Sequence, residues 1–398
     1  MWIRYLFLCV SLALTTSIQG QADYKKGVIH DSIPVSGTTD ESFAIYLPNT
    51  FQNNVLSSIV FIFEPAARSA IGIRPFIPAA EKYGHVLVCS NNSRNAGYER
   101  NFGIANNLFA HIFSNFNIKE DEMYLSGFSG GSRLACAIAS LTNQFSGVVA
   151  CGAGFPSSPE HKPSIQKYAY AGLVGDRDMN YREMLKNRGF LELLNFNSTL
   201  ITYNGDHSWP STDQISRAFD WLYIQKLKNT GSNDLDEIMP LYQKAYSQIE
   251  KFKAENELLR ASEQYERISK TFADFVSVDT LLLQHQKLLT SKEFKRQKAS
   301  FSNVLKQEEQ IANKFNARMV SDFEKPKKAN FSWWEKELAK LNTLEEKGDA
   351  ETKKMVYRIK FDVFVRAYSR KNTLIYDKNP ERTALAEQFI NLISKKNE

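Results

Sequence analysis

A tight turn between an apolar strand and a helix of small residues constrains this chain more than any other feature. The turn lies within residues 123–135 and contains the pattern G-x-S-x-G, from Gly127 to Gly131. Between a strand and a helix, this pattern places its serine on a strained, exposed position above a parallel sheet. The glycines leave room for the helix to pack closely on the strand, where a Cβ atom would clash. Ser129 is therefore the candidate nucleophile; the alternative is a Ser/Gly-rich loop without chemistry.

Alternating strands and helices are predicted on both sides of this turn. Apolar runs typical of strands occupy residues 42–47, 58–63, 85–89, 147–151, 168–174 and 200–203, and helices are predicted at 76–83 and 103–116. Repeated strand–helix–strand units of this spacing indicate a mostly parallel sheet with helices on both faces. We expect an α/β domain over residues 23–230, with its functional residues at the carboxyl ends of the strands.

The composition changes after residue 230. The first 230 residues contain 19 Lys/Arg and 18 Asp/Glu, whereas the remaining 168 contain 31 and 26, and glycine nearly vanishes. Residues 291–323 and 350–370 contain no helix breaker. Apolar stripes at helical spacing occur in two places, at Tyr242, Ala245, Tyr246, Ile249 and Phe252, and at Leu385, Phe389 and Leu392. An all-helical domain is therefore predicted over residues 231–398. Its similarity to tetratricopeptide repeats is weak, because no fixed 34-residue period is found.

The first 22 residues have the pattern of a secretory signal peptide. Arg4 precedes an apolar run from Tyr5 to Leu14, and small and polar residues follow. The run is too short to span a bilayer, which needs about 20 residues. We expect cleavage after Gly20 or Ala22, export to the periplasm or the extracellular space, and no transmembrane segment in the mature chain. A buried N-terminal helix is the alternative.

Charge and cysteine content exclude several classes of function. The net charge of +6 is spread over 50 basic and 44 acidic residues, which is too diffuse to indicate a nucleic-acid partner. Cys9 falls in the leader, and the other three cysteines are Cys89, Cys136 and Cys151. They form neither a metal-binding pattern nor a disulfide scaffold, although one bridge among the three stays open.

An acid and a histidine follow the turn in the chain, each on a loop after a later strand. Asp178 lies in the loop at residues 175–180, and His207 lies in the loop at residues 204–210. The order Ser129, Asp178, His207 is the order in which a nucleophile, an acid and a base follow one another on this kind of sheet. The imidazole would take the proton of the serine hydroxyl, and the acid would fix the tautomer of the imidazole.

Two other aspartates compete for the role of the acid. Asp178 is preferred to Asp176 because it lies three residues past Gly175 and is better placed to turn back across the sheet. Asp176 would lie on the turn itself and cap it. Asp206 is expected to point away from His207, because neighbours on an extended loop face opposite sides.

An ester or amide transition state also needs two N–H donors for its oxyanion. Gly130 follows the nucleophile and supplies the first. The second is expected from the loop at residues 64–68, after the strand at 58–63. Pro65 has no N–H group, so Ala66, and after it Ala67, is the predicted donor.

With these motifs, residues 40–225 resemble the α/β-hydrolase superfamily. The similarity is greatest to its exported esterases of the polyhydroxybutyrate-depolymerase, feruloyl-esterase and dienelactone-hydrolase kinds. It depends on residues 127–131, 175–178 and 205–209, and it implies a Ser129–Asp178–His207 triad that cleaves carboxylic esters through an acyl-enzyme without a metal or organic cofactor. Residues 63–66 read Phe-Glu-Pro-Ala, where many relatives carry His-Gly followed by a small residue.

Three residues are candidates for contact with the substrate. Arg94 and Asn95 lie in a loop at the end of a strand, which either lines the pocket or is a turn of self-bonding Asn and Ser residues. Trp209 lies close to the base and either forms an aromatic wall or packs the rim. The short segment at residues 151–168 has no large lid insertion, which predicts an open site suited to soluble esters.

Three hypotheses of function follow. The first is a serine hydrolase that acts on a small or polymer-derived carboxylic ester. The second is a peptidase with the same triad. The third is an interaction protein whose helical domain binds a protein partner, with hydrolysis as a secondary activity.

Overall fold

The structure, a computed structural model, describes residues 24–165, 167–377 and 379–394. The predicted signal peptide lies outside this range. Across the described ranges, no helix combines the length and the apolar character that a membrane span requires.

The first half of the chain forms one eight-stranded sheet in the order β1-β2-β4-β3-β5-β6-β7-β8. β1 pairs antiparallel with β2 and β2 antiparallel with β4, and all other pairs are parallel. The strands are β1 (Ile29–Pro34), β2 (Ser42–Tyr46), β3 (Ser57–Phe63), β4 (His85–Ser90), β5 (Ile118–Phe128), β6 (Gly147–Cys151), β7 (Ala169–Gly175) and β8 (Ser198–Tyr203).

Helices cover both faces of this sheet. They are α1 (Ser69–Ile73), α2 (Ile77–Tyr83), α3 (Tyr98–Asn115), α4 (Gly130–Thr142), α5 (Tyr181–Leu193) and α6 (Thr212–Thr230). Because side chains alternate along a strand, Phe61 packs with α3 and α4, whereas its neighbour Ile62 packs with α2 and α6. The predicted fold class is confirmed for this half of the chain.

The second half is all-helical, as predicted. Its helices are α7 (Leu235–Ala254), α8 (Leu258–Phe272), α9 (Asp279–Thr290), α10 (Lys292–Glu324), α11 (Phe331–Lys347), α12 (Ala350–Asp377) and α13 (Pro380–Ser394). One apolar cluster joins α10 to α13. A second joins α7, α8 and α9 to the end of α6 through Ile224 and Leu227. Apolar packing is thus continuous across residue 230, where the sequence predicts a domain boundary.

Four regular elements of the first half, β1, α1, α5 and α6, lie where the sequence pattern did not predict any, and β1 and α5 show the reason. β1 contains His30, Asp31 and Ser32, which interrupt the apolar alternation, and its pairing with β2 has a register irregularity. α5 contains as many charged or amide residues as apolar ones, and it buries only Tyr181, Met184 and Leu191. In both elements the tertiary contacts, not a strong local pattern, decide the conformation.

The three cysteines of the described chain, Cys89, Cys136 and Cys151, are free and buried. The bridge that the sequence left open is therefore not formed. Burial raises the pKa of all three thiols well above the ordinary value, so these residues behave as small apolar core groups.

Candidate active site

Ser129 occupies the sharp turn between β5 and α4. Its backbone has φ 52° and ψ −118°, a strained combination for a residue with a side chain. A Cβ atom on Gly131 would lie 1.9 Å from the carbonyl oxygen of Phe63, and one on Gly127 would lie 2.4 Å from the carbonyl group of Gly131. The close approach of helix and strand that the sequence predicted is therefore present, and it holds the Ser129 hydroxyl above the sheet.

The structure brings Ser129, His207 and Asp178 into one hydrogen-bonded chain. His207 Nε2 lies 3.0 Å from Ser129 Oγ, and His207 Nδ1 lies 2.9 Å from Asp178 Oδ2. The three residues come from loops after β5, β8 and β7 and meet at the carboxyl edge of the sheet. With Nδ1 protonated toward Asp178, Nε2 is left free to accept the serine proton.

Asp178 is fully buried, and its carboxylate has two partners. Oδ2 faces His207, and Oδ1 accepts the backbone N–H of Asn180 at 2.8 Å. Burial raises the pKa of Asp178 above its ordinary value, and the hydrogen bond from His207 opposes this effect. Gly152 has φ 65°, and a Cβ atom there would come within 3.1 Å of Asp178 Oδ2, so this glycine gives the carboxylate its space.

Asp176, the competing candidate for the acid, has a different set of partners. Its Oδ2 lies 2.5 Å from an Arg260 guanidinium nitrogen and 2.9 Å from Lys354 Nζ, both from the helical half. Arg358 donates to the Asp176 backbone oxygen at 2.6 Å and also pairs with Glu308. The loop at residues 175–180, here called the acid loop, is thus held on one side by His207 and on the other by cations of α8 and α12.

Asp206 does not contact His207 through its side chain. Its Oδ1 accepts the hydroxyl of Ser208 at 2.7 Å. This placement matches the expectation that the two neighbouring side chains point in different directions.

The position of Ala66 does not support its predicted role as an oxyanion donor. Its N–H donates to Glu64 Oε2 at 2.7 Å, and the N–H of Ala67 donates to the Glu64 backbone oxygen at 3.2 Å. The fully buried Glu64 also pairs with Arg68, so its carboxylate organises the whole loop. Pro65 has no N–H group to donate, and no local sequence pattern indicates that the Glu64 carboxylate accepts the N–H of the next residue.

Gly130 begins α4, and the first N–H groups of a helix have no partner inside the helix. They also carry the positive end of the helix dipole, which favours a negative oxygen beside Ser129. A Cβ atom on Gly130 would lie 1.8 Å from Asn95 Oδ1, so the Asn95 amide lies directly against this position. Gly130 and Asn95 are therefore both placed beside the candidate nucleophile.

A polar cavity of about 320 Å³ opens beside Ser129. Its lining includes both predicted contact residues of the loop after β4, Arg94 and Asn95, together with Tyr98, Asn101 and Asn180. The same loop is also a self-bonded turn, because Ser90 Oγ accepts the N–H groups of Asn92 and Ser93. The loop therefore lines the cavity and is also a turn held by its own hydrogen bonds.

Trp209 is not among the residues that line this cavity. Its ring packs against Phe128 with a centroid separation of 5.3 Å and against Phe76 at 5.8 Å. Phe128 in turn lies 4.7 Å from the ring of His207. The structure thus places Trp209 in the packing behind the base, which is the second of the two roles considered for it.

Sequence reasoning missed the contact of the helical half with the site. The ring of Phe361, on α12, lies 6.0 Å from the ring of His207. Arg177, on the acid loop, lies 5.9 Å from the ring of Tyr357, one turn earlier on α12. An aromatic spacing of four residues was visible in the sequence, but nothing in the sequence indicates which surface such a stripe faces.

Within the described ranges, no three or more His, Cys, Asp or Glu side chains lie together in a way that could hold a metal ion.

Comparisons with known proteins return structural similarity alone. No protein-family profile matches the chain, and no curated protein matches it in sequence. An S-formylglutathione hydrolase (FrmB) from Staphylococcus aureus is 16% identical, with a TM-score of 0.42, over 50% of this chain and 98% of that chain. FphF, a fluorophosphonate-binding serine hydrolase of S. aureus, is 15% identical, with a TM-score of 0.41, over 49% and 97%.

Esterase 2 of Thermogutta terrifontis, phosphonylated by cyclosarin, is 12% identical over 52% of this chain and 94% of that chain, with a TM-score of 0.39. Similarities of this size do not assign an activity.

Proposed function

We propose that this protein is a serine hydrolase that cleaves carboxylic esters through an acyl-enzyme. The observation that carries the proposal is the continuous hydrogen-bonded chain from Ser129 Oγ through His207 to Asp178, with distances of 3.0 and 2.9 Å. A serine hydroxyl is a weak nucleophile until a neighbouring base takes its proton, and this chain supplies that base and its orienting acid.

The proposed reaction has two halves. In the first, Ser129 Oγ attacks the carbonyl carbon while His207 Nε2 takes the hydroxyl proton, and the same imidazolium then protonates the departing alcohol. In the second, water attacks the acyl-enzyme with His207 as general base, and Ser129 regains its proton as the acid is released. Asp178 stabilises the imidazolium in both halves of the reaction, since its carboxylate lies against His207 Nδ1.

The oxyanion that forms in each half would lie near the N-terminus of α4. Gly130 is the first residue of that helix and supplies one N–H donor in this proposal. The N–H of Ala66 is engaged by Glu64, so the proposal assigns no oxyanion role to Ala66.

The test is hydrolysis of p-nitrophenyl esters by the purified protein. We expect turnover by the wild type and a fall in kcat of about 10⁵–10⁶-fold in Ser129→Ala, since the triad residues act as a unit. Ser132→Ala is a matched control, because Ser132 follows Ser129 by three residues, on α4, and its hydroxyl donates to the Ala153 backbone oxygen. Equal turnover by the wild type and Ser129→Ala would contradict the proposal.

A parallel series with p-nitroanilide amides separates ester from amide hydrolysis. The same triad could act on either, and no described feature of the site favours the peptidase reading. Turnover of the amides at rates comparable to the esters would replace the esterase proposal with the peptidase one.

We also propose that the protein is exported. The support is the pattern of its first 22 residues, with Arg4 before a short apolar run. Expression of the full chain followed by N-terminal sequencing of the secreted form tests this, and a chain that keeps its apolar run inside the cell would contradict it.

A further inference from the structure

One face of α12 carries a row of aromatic side chains that the core of the helical half does not use. The row, here called the α12 stripe, consists of Tyr357, Phe361, Phe364 and Tyr368. Their spacings of four, three and four residues place all of them on one side of the helix. The core-facing side of α12 is formed by other residues, namely Met355, Val356, Ile359, Val363 and Ala367.

The rings of the stripe form a continuous ladder. Neighbouring centroids are 6.1, 6.2 and 6.1 Å apart, with interplanar angles of 15°, 26° and 16°. Tyr357, Phe361 and Phe364 are half-buried, and Tyr368 is 51% exposed. From Phe361 to Tyr368 the helix rises about 10 Å. This apolar surface is therefore long enough to contact more than a single small group.

The second ring of the ladder lies beside the proposed catalytic base. Phe361 lies 6.0 Å from the His207 ring, and the next two rings lead away from it along α12. Buried ionic contacts hold the helix in this position, since Arg358, which is 1% exposed, pairs with Glu308 and donates to the Asp176 backbone oxygen. The stripe is thus fixed against the reacting groups instead of lying on a remote surface.

The other side of the site has the opposite character. The cavity beside Ser129 is lined by Arg94, Asn95, Asn101 and Asn180, among others, and it contains no residue of the stripe. Arg94 is exposed, and no described carboxylate lies within ion-pair distance of it. A substrate bound at Ser129 would therefore meet polar groups in one direction and a row of rings in the other.

We infer that the α12 stripe binds the apolar part of the ester, and that the substrate class is an ester joining an extended alkyl or aryl group to a polar group. This inference rests on the proposed function. Phe361 is the specificity-determining residue closest to the reaction, and Phe364 and Tyr368 extend the contact. Contact with the rings removes apolar surface of the substrate from water, which favours longer apolar groups over short ones.

The test compares p-nitrophenyl acetate, octanoate and 3-phenylpropanoate, and the readout is the ratio of kcat/KM for each long ester to that for acetate. We expect the wild type to favour a long ester. In Phe361→Ala the ratio should fall about tenfold, and in Phe364→Ala and Tyr368→Ala severalfold, because each removes apolar contact. Phe361→Leu should restore part of the ratio. The alkyl and aryl series show which apolar group the stripe prefers, and a fall in either supports the inference.

Arg366→Ala is the matched control on the same helix. Arg366 is exposed, and among the described residues it pairs only with Asp362 and donates to Asn316, so its loss should leave the ratio unchanged. Ratios that stay at the wild-type value in all three stripe variants would overturn the inference. A dimer that weakens in Tyr368→Ala, with the ratio unchanged, would assign the stripe to a second copy of this chain and would also overturn it.

Failure of the proposed function gives a different result. In that case the wild type hydrolyses none of the three esters, and no ratio exists. If the wild type hydrolyses the esters in a Ser129-dependent manner and only the ratios are insensitive, the esterase proposal stands and the role of the stripe falls.

Discussion

At the residue scale, two aspartates separated by a single residue have different partners. Asp178 is directed to His207, whereas Asp176 is directed to Arg260 and Lys354 on the helical half. The loop between them turns tightly, since the Asp178 N–H donates to the Gly175 backbone oxygen at 3.0 Å. The Asp178 carboxylate therefore orients the imidazole of His207, and the Asp176 carboxylate stabilises the contact between the α/β half and the helical half.

Exchanging each aspartate for asparagine should separate these roles. We expect Asp178→Asn to lower kcat/KM about 10³–10⁴-fold, because a neutral amide favours the wrong imidazole tautomer. Asp176→Asn should instead destabilise the fold by about 1.5–3 kcal/mol, because Arg260 and Lys354 lose the buried carboxylate that they share and, among the described residues, keep only Glu257 and Glu351. Ester kinetics and urea unfolding of both variants check this, and equal kinetic damage in the two would contradict the assignment.

Gly131 is predicted to tolerate no side chain. A Cβ atom there would lie 1.9 Å from the Phe63 carbonyl oxygen. The helix backbone fixes the position of this Cβ atom and the oxygen belongs to the strand backbone, so relief of the clash requires the backbone to move. We expect Gly131→Ala to cost about 3 kcal/mol or more of folding free energy. Gly103→Ala is the control, since a Cβ atom at this position in α3 meets nothing within 4 Å and should stabilise the helix by about 0.5–1 kcal/mol. Urea unfolding measures both, and similar midpoints for the two variants would contradict this account.

Much of the site could be predicted from the sequence because its signals are local. Ser129, Asp178 and His207 each follow an apolar run that reads as a buried strand, and strands of a parallel sheet end at the same edge. The oxyanion role predicted for Ala66 is an example of what local signals do not determine. Whether its N–H is available depends on the position of the Glu64 carboxylate, and no spacing rule determines that position.

Among the helices of the second half, α12 contacts both the acid loop and the catalytic histidine. It supplies Lys354 and Arg358 to the loop at residues 175–180 and places Phe361 beside His207. α8 adds Arg260 to the same loop. The sequence predicted a long uninterrupted helix here, and it could not predict the partner surface, because the pattern along a helix shows which of its faces is apolar and not which surface that face contacts.

The pair formed by Arg358 and Glu308 should be the most sensitive point of this contact. Both side chains are buried, with 1% and 4% exposure. Arg358→Met leaves the Glu308 carboxylate buried and unpaired, which should cost about 3–5 kcal/mol, whereas adding Glu308→Met should recover most of that loss. Urea unfolding of the two single variants and the double variant gives the coupling. A double variant no more stable than Arg358→Met would contradict this account.

At the scale of the whole molecule, the two halves share packing and buried charge. The end of α6 belongs to the apolar cluster of α7, α8 and α9, and the acid loop belongs to the ion cluster of α8 and α12. The change of composition near residue 230 falls between α6, which ends at Thr230, and α7, which begins at Leu235. This change does not indicate whether the two segments contact each other, because charged residues mark exposed surface and do not identify what the buried faces pack against.

We therefore expect the protein to unfold in a single cooperative transition. Esterase activity reports on the catalytic half, and the fluorescence of Trp333 and Trp334 on α11 reports on the helical half. Replacing Trp209 and Trp221 by phenylalanine restricts the fluorescence signal to α11 among the described residues. Urea midpoints that coincide for the two signals support one folding unit. A helical half that melts while activity persists would contradict it and would favour a detachable domain with a partner of its own.

Covalent trapping shows directly whether Ser129 is a nucleophile activated by His207. The protein is treated with a fluorophosphonate probe, digested, and analysed by mass spectrometry. We predict one adduct per chain, located on Ser129, with labelling abolished in Ser129→Ala and strongly slowed in His207→Ala. An adduct on another residue, or equal labelling of wild type and Ser129→Ala, would contradict the account.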